Sequence, residues 1–296
     1  MNIRRPLSLS AMLFAAAVIS ACNNKPPEAT PAAPTPAEQA ANMAAQHAGD
    51  APVASPAAQQ SVAPDLIESQ TVTYGTLKGQ PLRGYFVKPA AATGTLPGVL
   101  VFHEWWGLND NIRRMSDRLA AKGYAVLAAD MYLGKTAQTP AEAQKLMQQA
   151  LSDGPLLDRN IKDAYDYLKD TAKVGKLATL GWCFGGSMSF EAAQVLSGKT
   201  DATVIYYGFV NDRPEALKKM TAPVIGFFGG KDGNIPLSTV IGFQKGLEAL
   251  GKRPQIHIYP DAGHAFANPS GKTYNARDAD DAWKYSLDFL AENLGS

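Results

Sequence analysis

From about residue 65 onward, short apolar runs alternate with stretches of helical spacing. Residues 98–102 (Gly-Val-Leu-Val-Phe), 124–129, 176–180, 202–207 and 224–228 are brief, apolar and rich in β-branched side chains. That is the signature of strands buried on both faces. Residues 70–74 and 82–87 alternate more evenly and predict an early pair of strands, and 255–259 predicts a last one. Between them, residues 109–122 place Ile112, Met115 and Leu119 on one helical face. Further helices are predicted over 140–151, 156–171, from the turn at 183 to about 196, and over 236–250 and 275–294. Buried strands alternating with amphipathic helices imply an α/β domain built on a mostly parallel sheet with helices on both faces. In such sheets ligands bind beyond the carboxyl ends of the strands, so chemistry is sought in the segments that follow them.

The first 64 residues have a different texture. Residues 1–21 combine Arg4 and Arg5 with an apolar run from Leu7 to Ile19, too short to span a bilayer comfortably, and read as an export signal. Ile19-Ser20-Ala21-Cys22 resembles the lipobox of bacterial lipoproteins. That resemblance implies a lipid on Cys22, a membrane anchor and a place in the cell envelope. Residues 22–64 are rich in Ala, Pro, Gln and Thr, a composition that reads as a flexible tether. Residues 37–48 could start a helix but show no apolar face, and His47 within them is read as inert. The folded domain is expected over 65–296.

Charge and cysteine content narrow the function classes. Lys and Arg total 28 against 27 Asp and Glu. No basic patch marks a nucleic-acid partner. Cys22 and Cys183 are the only cysteines, which excludes a disulfide framework.

The strand ending at Leu180 runs into Gly181-Trp182-Cys183-Phe184-Gly185-Gly186. Glycines two residues either side of a nucleophile allow the sharp strand-to-helix turn that exposes its side chain. The following helix points its N-terminus at the sulfur, favouring thiolate, and the Phe184 N–H is placed as an oxyanion donor. The bland alternative is a small buried cysteine in a tight turn. Gly226-Phe-Phe-Gly-Gly-Lys-Asp232 is one residue short of a phosphate-binding loop, and His103-Glu104-Trp-Trp-Gly107 lacks the second histidine of a zinc helix. No metal site and no cofactor is expected. Of four histidines, His257 lies within a strand and reads as structural, and His103 ends a strand where it could line a pocket. His264, after the last strand and before the last helix, stands where a general base belongs, and Asp232 follows the preceding strand in a glycine turn. The order Cys183, Asp232, His264 matches nucleophile, acid and base of the α/β-hydrolase fold.

These residues resemble the dienelactone hydrolase family, through Phe102-His-Glu104-Trp-Trp-Gly107, Ala129-Asp-Met-Tyr132, the elbow at 181–186, Asp232 and Gly263-His264-Ala-Phe266. The resemblance implies an α/β-hydrolase fold, a Cys183–Asp232–His264 triad, Glu104 as a fourth catalytic residue beside the resting nucleophile, and the Trp105 N–H as second oxyanion donor. Family members that cleave dienelactones hold the substrate carboxylate with two arginines. Here the matching positions carry Gly134 and Asn268, with Lys135 one residue away. The expected activity is hydrolysis of a small ester or lactone, in a pocket walled by Trp106, Tyr132 and Phe266, with a weak preference, or none, for a free carboxylate. The rival readings are a lipid-anchored binding or scaffold protein on a hydrolase fold, and a thiol-redox protein.

Overall fold

The computed structural model describes residues 35–48, 50, 52 and 62–295. The proposed export signal and Cys22 lie outside the described residues. Eight strands form one sheet in the order β1-β2-β4-β3-β5-β6-β7-β8. β1 (Ile67–Leu77) and β2 (Gln80–Pro89) form an antiparallel hairpin, and β2 pairs antiparallel with β4 (Ala125–Ala129). From there β3 (Gly98–Phe102), β5 (Leu177–Trp182), β6 (Ala202–Tyr206), β7 (Val224–Gly229) and β8 (Gln255–Tyr259) run parallel. The apolar runs occupy the centre: β3 to β7 are buried along their whole length, as two-sided cover requires. This is a mostly parallel sheet, as the alternation of strands and helices implies, in the α/β-hydrolase arrangement that the elbow and the family resemblance imply.

Helices α2 (Asp110–Ala120), α3 (Pro140–Leu151), α4 (Gly154–Asp166), α5 (Phe184–Val195), α7 (Leu237–Ala249) and α8 (Ala276–Leu294) match the expected helical stretches, and a short α6 (Pro214–Lys219), too brief to show a helical period in the sequence, is added between β6 and β7. The one expected over 156–171 ends its regular part at Asp166 and finishes in a wider π-turn over Tyr167–Thr171. Among the described residues, no helix is long and apolar enough to cross a membrane.

The structure departs from the sequence reading in the tether. Helix α1 (Pro36–Gln46) packs against α3. Its start is a reciprocal cap: the Thr35 hydroxyl accepts from the Glu38 N–H, and the Glu38 carboxylate accepts from the Thr35 N–H at 2.7 Å. Pro36 fits the first turn, where no amide donor is needed. Met43 and His47, four residues apart and so on one face, are both buried against the domain. The face is narrow, which is why apolar counting along 37–48 misses it.

Candidate active site

The sheet delivers the elbow cysteine to the end of its central strand. Cys183 takes φ 57° and ψ −119°, a conformation that costs a non-glycine residue energy and is held by the packing around it. Its neighbours have no room to be anything but glycine. A Cβ at Gly181 would stand 2.0 Å from the Gly185 carbonyl oxygen, and one at Gly185 would stand 2.1 Å from the Phe102 carbonyl oxygen. Phe184 opens α5 directly after the sulfur, so its N–H belongs to the first turn, which has no intrahelical acceptor.

His264 and Asp232 reach the same place from the ends of β8 and β7. The His264 Nδ1–H donates to Asp232 Oδ2 at 2.7 Å. The other carboxylate oxygen accepts from the N–H groups of Asn234 and Ile235, at 2.8 and 3.0 Å, which fixes the acid. One ring nitrogen of His264 and Cys183 Sγ lie within 4.8 Å of each other. Burial opposes ionisation of the Cys183 thiol, but the facing His264 and His47 outweigh it and lower the thiol to about 6. Burial likewise opposes charge on His264, and Asp232 with Cys183 overcomes it, raising the imidazole to about 10. Near neutral pH the arrangement is a thiolate facing an imidazolium.

Glu104 and Trp105 follow β3 and are buried beside these groups. Burial raises the Glu104 carboxyl to about 8, helped by the neighbouring Cys183. Asn268 donates its Nδ2–H to Glu104 Oε2 at 2.7 Å. The residue standing where dienelactone-cleaving relatives have an arginine therefore holds Glu104. Asp130 closes the turn after β4, accepting from the N–H groups of Tyr132 and Gly134. Lys135 is exposed.

The aromatic residues expected in the pocket wall are all buried, at different depths. Trp106 packs edge-on to Trp105. Tyr132 packs between His103, met edge-on, and the tilted ring of Phe184. Phe266 packs against Tyr207 and Tyr259, and Tyr207 in turn meets the His264 ring at 5.3 Å. His103 is a structural clamp: its Nδ1–H donates to the Glu104 carbonyl and its Nε2 accepts from the Met131 N–H. His257 lies between Phe227 and Tyr285, as a strand histidine should.

The sequence reading misses three participants: Met43, His47 and Asp50. His47 is 3% exposed, donates Nδ1–H to Asp50 Oδ2 at 2.8 Å, and packs on Trp105 with ring centres 4.7 Å apart. Met43 Sδ rests 3.4 Å from Cys183 Sγ. Cys183 is only 1% exposed, because α1 covers it. His47 is thus neither inert nor in open solvent. The signal that would find it is Thr35-Pro-Ala-Glu38, a helix start placed ahead of Met43 and His47 at a four-residue interval. His47, Cys183 and His264 also form a buried group whose ligand atoms all lie within 4.8 Å, where the sequence suggested no metal-binding cluster.

Residues 82–294 match the family model described as the dienelactone hydrolase family. The chain is 32% identical to the "Putative carboxymethylenebutenolidase" of Saccharolobus solfataricus over 65% of its own length and 88% of the relative's. It is 31% identical to "Protein usf" of Aquifex pyrophilus, over 73% of this chain and 95% of that one. Among solved structures, it superposes on a dienelactone hydrolase-like promiscuous phosphotriesterase from metagenomic libraries with a TM-score of 0.72 at 25% identity, covering 78% of this chain and 100% of that chain.

Proposed function

The chain belongs to the dienelactone hydrolase family and is a hydrolase of that kind; from that premise we propose that it cleaves a neutral carboxylic ester or lactone through a covalent Cys183 acyl-enzyme. The observation that carries this reading is the His264 Nδ1–Asp232 Oδ2 bond of 2.7 Å behind a thiol lowered to about 6. The Cys183 thiolate attacks the carbonyl carbon. The N–H groups of Phe184 and Trp105 receive the oxyanion. The imidazolium of His264 protonates the leaving oxygen, then takes a proton from water as that water attacks the acyl-cysteine. Asp232 keeps the ring in the tautomer that presents Nε2 to the sulfur. Glu104, neutral near pH 7 through its burial, sits beside the thiolate without adding a second negative charge.

Substrate must reach Sγ through the space now filled by Met43 and His47, so α1 moves aside for turnover. The dienelactone activity of arginine-bearing relatives is not assigned, because Gly134 and Asn268 supply no cation. A screen of lactones and aryl esters with native chain and Cys183→Ala tests the proposal. Cleavage lost by several orders of magnitude in the variant supports it; equal turnover refutes the role of Cys183, and a native chain that cleaves none of them leaves a scaffold protein.

The lipobox-like run at Cys22 supports a lipid anchor in the cell envelope as part of the same reading. Cys22→Ser should move the protein from membrane to soluble fraction without altering its specific activity. A variant that stays in the membrane fraction contradicts the anchor.

A further inference from the structure

The hydrolytic mechanism uses one carboxylate–imidazole pair, His264–Asp232. The structure places a second beside the same sulfur, His47–Asp50, on a segment ahead of the family-matched residues. The two pairs are alike. In each, Nδ1–H is taken by a carboxylate, and in each the buried Nε2 is left to face the Cys183 sulfur. Stacking on Trp105 explains why the His47 ring is held. It does not explain why Asp50 should fix the ring so that Nε2 faces the Cys183 sulfur. A carboxylate on the far nitrogen is the usual outer support of a metal-binding histidine, where it orients the ring and raises its basicity.

We infer that α1, in closing over the elbow, builds a binding site for a copper ion taken up as Cu(I), with Cys183 Sγ, His47 Nε2 and His264 Nε2 as ligands and Met43 Sδ as a weaker fourth. The ligand atoms of the first three lie within 4.8 Å of one another. Metal bonds of about 2.0 Å to nitrogen and about 2.3 Å to sulfur put neighbouring ligands about 3.5 Å apart. Small side-chain rotations close that difference. Met43 decides the kind of ion. Its Sδ lies 3.4 Å from Cys183 Sγ, and the Asn234 amide approaches it at 3.5 Å. A thioether has little affinity for hard cations, whereas thiolate, two imidazoles and a distant thioether make a donor set that copper occupies. Binding displaces the Nε2 proton of the His264 imidazolium to solvent, since the sulfur already stands as a thiolate near neutral pH, and leaves the copper oxidation state unchanged. It also consumes the nucleophile, so the loaded protein does not hydrolyse esters, and removing the metal restores the free sulfur.

This inference needs the placement of α1 but no turnover, so it stands or falls apart from the ester reading. The test titrates the full chain, carrying Cys22→Ser so that one thiol remains, with anaerobic Cu(I) against a chromogenic chelator. One equivalent should be withdrawn from the chelator. His47→Ala should weaken binding at least a hundredfold, Met43→Leu about tenfold, and Cys183→Ser should abolish it, while circular dichroism shows each variant folded. X-ray absorption of the loaded chain should show a mixed nitrogen and sulfur shell. A chain that withdraws no copper overturns the inference. So does a His47→Ala variant that binds as tightly as its parent, since His264 and Cys183 would then suffice. Tighter binding of Zn(II) than Cu(I), indifferent to Met43→Leu, overturns the assignment of the ion.

Discussion

Asn268 and Glu104, 164 residues apart in sequence, share a 2.7 Å hydrogen bond in which the amide holds the buried carboxyl beside the nucleophile. The position that the family resemblance matches to a substrate-binding arginine here supports a buried carboxyl next to Cys183. A substrate carboxylate entering this site would shed water with no buried arginine or lysine among the described residues to receive it, the His264 imidazolium being already paired with Asp232 and the thiolate. Neutral aryl esters or lactones should therefore equal or exceed their carboxylated counterparts in kcat/KM, measured on a matched methyl ester and free acid. A hundredfold preference for the free acid, about 2.7 kcal/mol, contradicts this account.

The pH profile follows from two shifted groups. Cys183, lowered to about 6, is protonated as pH falls through that value, and the nucleophile is lost. Glu104, raised to about 8 by burial, becomes charged above it and sets an anion against the thiolate. The profile of kcat/KM should be bell-shaped, rising through about 6 and falling beyond about 8, with apparent values that belong to the coupled site. Glu104→Gln should move the alkaline fall from about 8 toward about 10, where His264 loses its proton, while leaving the acid limb. A variant that keeps the fall near 8 assigns it to another group.

Gly181 and Gly185 are held by contact with backbone rather than with side chains that can move aside. Gly185→Ala should cost roughly 3 kcal/mol or more in chemical unfolding, the range of severe overpacking. Gly154→Ala is the control: nothing lies within 4 Å of the added Cβ, and the position opens α4, so stability should hold or rise slightly. Equal midpoints for the two variants would show that the elbow has slack that the packing does not suggest.

Much of this architecture is legible in the chain because central parallel strands are apolar throughout and helices carry one apolar face. Residues 98–102 and 224–228 leave little choice. The triad is legible for a related reason: its members sit at strand ends, in turns marked by glycine at 181, 185, 229 and 263. Helix α1 is not, since its contribution rests on two side chains, Met43 and His47, in an otherwise small and polar segment. Its contacts are with distant residues, and composition does not report those. Asn268 is missed because a resemblance tells which arginine is absent, not what its replacement touches.

The cap of α1 offers a way to loosen it without touching the site. Removing the Thr35 side chain costs a helix about 1 kcal/mol. If closure of α1 shields Cys183, Thr35→Ala should raise alkylation of Cys183 by iodoacetamide up to about fivefold in a Cys22→Ser background, followed by mass spectrometry. An unchanged rate would mean that the sulfur is reached without α1 moving.

The most direct test of the central claim is to mix the chain with an activated neutral ester, quench with acid within the first turnover, and map the acyl group by peptide mass spectrometry. The account predicts acyl transfer to the peptide carrying Cys183 in the native chain, and its accumulation when His264→Ala removes the group that activates water. Acylation elsewhere, or full turnover with Cys183 never modified, would contradict it.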